Sequence, residues 1–182
     1  MGRDKALLDY RGTTFLGQLI ELFLPRVSPL VVVLGHNAES IGAAVAPRPG
    51  LRVVINRHYQ SGQLSSLQTG IRSLGQEPRA ALVTLVDHPA VAAATLEAMI
   101  ERFQAAAPPL LILRCQGRRG HPVIFSRLLL DEILALPASA SAKQVVHAHQ
   151  HEAVYLEVDD PGILQDIDNP ADYLTLLGGK KE

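Results

Sequence analysis

Cysteine is nearly missing from this sequence. Cys115 is the only one in 182 residues, so no internal disulfide can form and a reducing compartment is expected. Excess charge is missing as well. Lys and Arg total 17 against 18 Asp and Glu, for a formal net charge of −1, and no block of like charges occurs. That leaves no electrostatic footprint for nucleic acid or an anionic membrane, and neither is expected as a partner. No apolar stretch approaches the roughly 18 residues needed to span a bilayer. The opening Met-Gly-Arg-Asp-Lys is charged at once and has no apolar core, so no signal peptide is expected. Position 6 is Ala6, where a myristoylation pattern wants Ser or Thr. A cytoplasmic location is the expectation. No G-x-G-x-x-G follows a strand, which counts against a dinucleotide oxidoreductase, and no G-x-x-x-x-G-K-[ST] marks a P-loop NTPase. No G-x-S-x-G elbow occurs either.

What is present centres on residues 80–89, Ala-Ala-Leu-Val-Thr-Leu-Val-Asp-His-Pro. An apolar run of this length predicts a strand buried on both faces in the middle of a parallel sheet. Pro89 cannot donate to the ladder and is expected to end it. Asp87 then stands at the carboxyl end of a central strand, where ligands of open α/β sheets bind. A carboxylate there suits a hard cation such as Mg²⁺, which arrives with a phosphate. The alternative is a carboxylate that starts a turn or caps the next helix.

Around this run, residues 14–24, 38–46, 65–74, 91–104, 127–136 and 142–149 have the spacing of helices. Residues 30–34, 51–55, 110–114, 123–125 and 152–158 read as strands, with a last helix after Asn169-Pro170. Strands alternating with helices predict one α/β domain over residues 1–182, with a mostly parallel sheet and helices on both faces. The tail Lys180-Lys181-Glu182 is expected to fray.

Asp166 and Asp168 are two apart. In an extended segment both carboxylates face one side and Ile167 the other. With Asp87 they make a candidate divalent-metal site, water and substrate phosphate completing the shell. The competing reading is turn chemistry, with Asn169 capping the last helix and Pro170 in its first position. Gly120-His121-Pro122-Val123 follows Gly117-Arg118-Arg119, a glycine-bounded stretch that either reaches an anionic substrate or forms a solvated turn. Asn56 and the stretch Ser61-Gly62-Gln63-Leu64-Ser65-Ser66 form a polar loop entering a helix, whose N-terminus attracts anions; Ser65 or Ser66 is expected to cap it. His147, His149 and His151 lack a partner completing a zinc set and read as surface histidines.

Taken in order, Met1-Gly-Arg-Asp-Lys-Ala-Leu-Leu-Asp-Tyr-Arg-Gly, Asn56 with Gly62, Ser65-Ser66-Leu67 and Gly70, Asp87-His88-Pro89, Gly120-His-Pro-Val and Gly162-Ile-Leu-Gln-Asp-Ile-Asp-Asn-Pro resemble one family across essentially the whole chain. That family is the nucleotidyltransferases of molybdenum cofactor biosynthesis, most nearly the molybdenum cofactor cytidylyltransferase group and, beside it, the guanylyltransferases. The resemblance implies a Rossmann-like three-layer nucleotidyltransferase fold and an Mg²⁺-dependent enzyme that moves a nucleotidyl group, CMP from CTP being favoured, to a phosphorylated acceptor such as molybdopterin, releasing pyrophosphate. It implies Asp87 as the metal aspartate, Asp166 and Asp168 as further metal or acceptor-side carboxylates, and Lys5 as the cation on the phosphates. Asn56, Gly62, Ser65 and Ser66 match residues near base and ribose, and Gly120, His121 and Pro122 the acceptor-side loop. The alternatives are a sugar-phosphate nucleotidyltransferase and a catalytically silent nucleotide-binding relative. The family pattern begins upstream with a strand and Leu-Ala-Ala-Gly-x-Ser-x-Arg. The expectation is therefore a sheet without its usual first strand, the chain start being either read too far downstream or truncated.

Overall fold

Alternating apolar and polar stretches become alternating strands and helices. The computed structural model describes residues 4–178. Residues 1–3 of the signature stretch and the tail from 179 lie outside them. In chain order the elements are β1 (Asp9–Tyr10), β2 (Thr13–Thr14), α1 (Phe15–Phe23), β3 (Leu30–Leu34), α2 (Ala38–Ala43), β4 (Leu51–Ile55), α3 (Gln63–Leu74), β5 (Ala80–Val83), α4 (Ala93–Ala106), β6 (Leu110–Cys115), β7 (Arg118–Ser126), α5 (Arg127–Ala135), α6 (Ala142–Ala148), β8 (Val154–Glu157) and α7 (Pro170–Leu176). Short 3₁₀ turns occupy Lys5–Leu7, Tyr59–Ser61 and Pro161–Leu164.

β6, whose first four residues are all apolar, becomes the best-buried strand. Its alternate side chains serve two cores. Leu111, Leu113 and Cys115 pack with Leu96 and Met99 of α4, whereas Leu110 and Ile112 pack with Leu129, Leu130 and Ile133 of α5. The sheet order is β5-β7-β6-β8, with β3 and β4 as a separate parallel pair and β1 and β2 as a small hairpin. β7 runs antiparallel to both β5 and β6, and β8 parallel to β6, so β5, β6 and β8 share one direction. The layered α/β architecture is as the sequence predicts, with one reversed strand inside it.

The expected missing strand has a counterpart in the fold. β3 and β5 do not pair with each other. Between them lies an apolar cavity of about 460 Å³, walled by β3 and residues 80–86 and covered by Phe23 of α1 and Ile71 of α3.

Four local expectations are corrected. The run from Ala80 leaves the ladder after Val83, not at Pro89, and Asp87 sits in a turn closed by the His88 N–H on the Leu85 carbonyl at 3.2 Å. Among the described residues β5 is an edge strand, half-buried throughout and paired only with β7, because its other edge faces the cavity. The stretch 117–122 is not a free loop. Gln116 and Gly117 both adopt positive φ, 51° and 75°, which makes a tight hairpin turn, and β7 begins at Arg118. Finally, α3 starts at Gln63 after Gly62 at φ 98°, so neither Ser65 nor Ser66 is its cap.

Candidate functional site

The site is assembled by one long-range backbone bond. The Ile167 N–H donates to the Asp87 carbonyl at 3.1 Å. Ile167, 2% exposed, is buried with Leu8, Tyr10 and Phe15, so its neighbours Asp166 and Asp168 are displayed at the rim beside Asp87. Asn169 then caps α7, accepting from Ala171 N and Asp172 N while Asp172 accepts from Asn169 N, with Pro170 at the first helical position. Metal-type carboxylates and cap chemistry occupy adjacent residues of one segment.

Lys5 enters from the opposite end of the chain. Its Nζ lies 2.6 Å from Asp168 Oδ1 and 3.5 Å from Asp87 Oδ2. Burial works against the ammonium, but the hydrogen bond to Asp168 and the charges of Asp87 and Asp168 outweigh it, holding Lys5 above its ordinary value. Asp87 is polarised between two partners. Oδ2 faces Lys5, whereas Oδ1 is buried, has no hydrogen-bond partner among the described residues, and lies 3.9 Å from His88 Nε2. Asp87, His88 and Asp166 each offer a ligand atom within 4.8 Å of the others. Partial burial, then the charges of Asp87 and Asp168, push Asp166 above the usual carboxylate range. A cation would relieve that crowding.

Behind the carboxylates sit two histidines. His88 is 6% exposed, and burial lowers its pKa despite three nearby carboxylates. His121 is lowered by burial and then by the charge of His88, while the Val83 backbone and Asp87 act the other way. Their rings stand 4.8 Å apart at 44°. His121 reaches this position through an irregularity in β7. Ile112 pairs with Val123 but Leu113 pairs with Gly120, so His121 and Pro122 are extra residues bulged out of the ladder. A bulge tolerates a proline and re-aims a side chain. Gly120 is fixed by contact. A Cβ there would stand 2.3 Å from the Ile163 carbonyl oxygen.

The Asn56 group forms a second, linked cluster. Asn56, 3% exposed, donates to Ser65 Oγ at 2.8 Å and Ser66 Oγ at 3.0 Å and accepts from His58 N at 2.9 Å. The single Ser65 hydroxyl proton is shared between the carbonyls of Gly62 at 2.8 Å and His58 at 3.0 Å. Asn56 and Ser65 thus shape the loop, and Ser66 lies on the wall of the cavity that Val86 also lines. Lys5, Asp87, Asp166 and Asp168 are brought together; Gly120, His121 and Pro122 adjoin them through His88.

Sequence reasoning passed over His88 and Asp160. A histidine directly following the candidate metal aspartate was the available signal for the first. Asp160 left none: buried, it accepts from Ala92 N, Thr95 Oγ1 and Gly162 N, and so starts α4 from a distant segment.

The residues present fit a divalent cation, since a buried, unpartnered carboxylate oxygen faces an imidazole and a second carboxylate. Among the described residues no helix is long and apolar enough to cross a membrane. Residues 1–154 match the MobA-like NTP transferase domain. The chain is 23% identical over 175 residues to the molybdenum cofactor cytidylyltransferase of Escherichia coli strain K12, covering 96% of this chain and 88% of that protein. It is 28% identical to the nicotine blue oxidoreductase of Paenarthrobacter nicotinovorans, covering 97% and 90%. Among solved structures, Rv0371c from Mycobacterium tuberculosis H37Rv superposes with a TM-score of 0.84 at 30% identity, covering 98% of this chain and 90% of that one. The same protein in complex with manganese superposes at 0.79, covering 97% and 93%. With this match over most of its length, the chain belongs to the MobA-like NTP transferase family and is a nucleotidyltransferase related to the molybdenum cofactor cytidylyltransferases.

Proposed function

We propose that this protein, acting as one domain in the cytoplasm, transfers a nucleotidyl group, CMP from CTP, to a phosphorylated small-molecule acceptor such as molybdopterin. The observation that carries the reading is Lys5 bracketed by Asp87 and Asp168 beside a carboxylate oxygen with no partner. An acceptor phosphate oxygen attacks the α-phosphorus, the bond to the β-phosphate oxygen breaks, and pyrophosphate leaves. This chemistry is largely a matter of placement and charge neutralisation. Lys5 exchanges Asp168 for a phosphate oxygen, which frees the Asp168 carboxylate. Asp87 and Asp166 would hold a divalent cation, Mg²⁺ in the simplest form, which would supply charge neutralisation at the triphosphate. The relative solved with manganese supports a divalent site. The Asn56–Ser66 cluster meets the nucleoside, and Gly120 to Pro122 the acceptor.

The test is pyrophosphate release from a panel of NTPs against molybdopterin and sugar phosphates. CTP with molybdopterin is expected to turn over. Asp87→Ala is expected to lower turnover by at least about a thousandfold, roughly 4 kcal/mol in the barrier, with the circular dichroism unchanged. Unchanged turnover in that variant removes Asp87 from the site, and release only with a sugar phosphate reassigns the acceptor.

A further inference from the structure

We infer that the His88 imidazole is the third protein ligand of the divalent cation, and that it makes the site favour Mn²⁺ over Mg²⁺. This rests on the transferase reading above and specifies the metal that serves it. His88 is 6% exposed. Its Nε2 lies 3.9 Å from Asp87 Oδ1, which is buried and, among the described residues, without a hydrogen-bond partner. Buried polar atoms are ordinarily satisfied, and each exception calls for a cause. A separation of 3.9 Å is long for a hydrogen bond but suits two ligands about 2.0–2.2 Å from one ion at a wide angle. Asp166 completes the trio from across the fold, all ligand atoms within 4.8 Å.

The packing around the ring supports a ligand role over a filler role. His121, bulged out of β7, lies against the His88 ring at 4.8 Å. That contact restricts how the ring can turn, with Nε2 on the side of Asp87 Oδ1. Lys5 takes Asp87 Oδ2, so Oδ1 is left for the cation. Two carboxylates and one imidazole form a mixed oxygen–nitrogen set. Mg²⁺ prefers oxygen ligands and keeps its waters, whereas first-row transition ions accept imidazole readily. Three protein ligands leave positions for phosphate oxygens and water.

The experiment uses the full chain, Mn²⁺ and Mg²⁺, and needs no turnover. Mn²⁺ is titrated by electron paramagnetic resonance and Mg²⁺ by competition, for the native protein and for His88→Ala, His88→Gln and Asp87→Asn. Electron spin-echo modulation of the bound Mn²⁺ reads ¹⁴N coupling directly in the native protein. The expected result is at least tenfold tighter binding of Mn²⁺ than Mg²⁺, a ¹⁴N coupling, and an approximately tenfold or greater loss of Mn²⁺ affinity in both His88 variants, with Mg²⁺ affinity changed by less than about threefold. Mn²⁺ bound without ¹⁴N coupling, or bound equally by the folded His88 variants, overturns the His88 assignment while the cation site stands. Mn²⁺ binding unchanged in Asp87→Asn, or no binding to the native protein either with or without CTP, removes the cation site and the transferase reading with it. Should the His88 variants fail to fold, the ¹⁴N coupling of the native protein decides alone.

Discussion

β6 and β3 are both short apolar strands, yet Leu110, Leu111 and Leu113 of β6 are fully buried while the first four residues of β3 are only half-buried. Their side chains do not explain the difference, since Leu-Val-Val-Val-Leu is as apolar as Leu-Leu-Ile-Leu. Neighbours explain it. β6 has β7 on one edge and β8 on the other, whereas β3 has β4 on one edge and the cavity on the other. Apolar content decides that a strand forms. The number of paired edges decides how completely it is buried. The loosely filled side of the sheet is also where the site lies, since residues 84–86 wall the cavity immediately before Asp87.

The comparison is tested most sharply by one truncation on each side. Leu113→Ala removes a side chain with 0% exposure and should destabilise the fold by about 2–5 kcal/mol. Val31→Ala, on a half-buried cavity wall, should cost less than about 1 kcal/mol, since little packing is lost. Urea denaturation of both variants with unchanged slopes measures the difference. Equal losses would mean that the gap is closed in solution and that β3 is packed as tightly as β6.

Two glycines give the same contrast in reverse, with a smaller expected effect. In Gly120→Ala the new Cβ meets backbone, 2.3 Å from the Ile163 oxygen, and overpacking against a main chain should cost about 1–3 kcal/mol. In Gly70→Ala the Cβ meets only the tip of Val33, Cγ2 at 3.0 Å, beside the cavity. Val33 has room to give, and α3 gains about 1 kcal/mol of helix propensity. Gly70→Ala is therefore expected to be neutral or stabilising. A thermal melt that moved both variants downward alike would show no spare room beside Val33.

Much of this was legible in the sequence, and the failures share a cause. The strands at residues 30–34 and 51–55 match β3 and β4, and the Asn169-Pro170 cap signal was correct, because local pattern and local chemistry decide them. The gathering of Lys5, Asp87, Asp166 and Asp168 was likewise foreseen from the spacing and the resemblance together. Residues 117–122 were misread because Gly, His and Pro are turn residues unless a partner strand absorbs them, which β6 does through a bulge. β5 was read as central and longer because an apolar run does not reveal which edge is unpaired. His88 and Asp160 draw their importance from burial by distant segments, which no local pattern contains.

The smallest expected difference lies on the outer surface of the well-packed side. His149, after α6, contacts Glu132 of α5 through Nε2 at 2.7 Å and Glu152 through Nδ1 at 3.0 Å, and His151 approaches Glu152 at 3.5 Å. The hydrogen bond to Glu132 leads in raising the His149 pKa above its ordinary 6.5; burial opposes it, and Glu152 adds to the rise. The folded state therefore holds this proton more tightly than the unfolded chain. The stabilisation is complete below about pH 6.5, while the glutamates remain ionised, and fades as pH rises through the folded-state value. Exposed pairs of this kind contribute about 1 kcal/mol or less. Glu132→Gln should accordingly be less stable than the native protein at pH 5.5 and nearly equal to it at pH 8.5, by urea denaturation at both values. A gap that stayed constant with pH would show that Glu132 packs against α6 without a charged histidine, and the α5–α6 junction would then be held by apolar contact around Val145 alone.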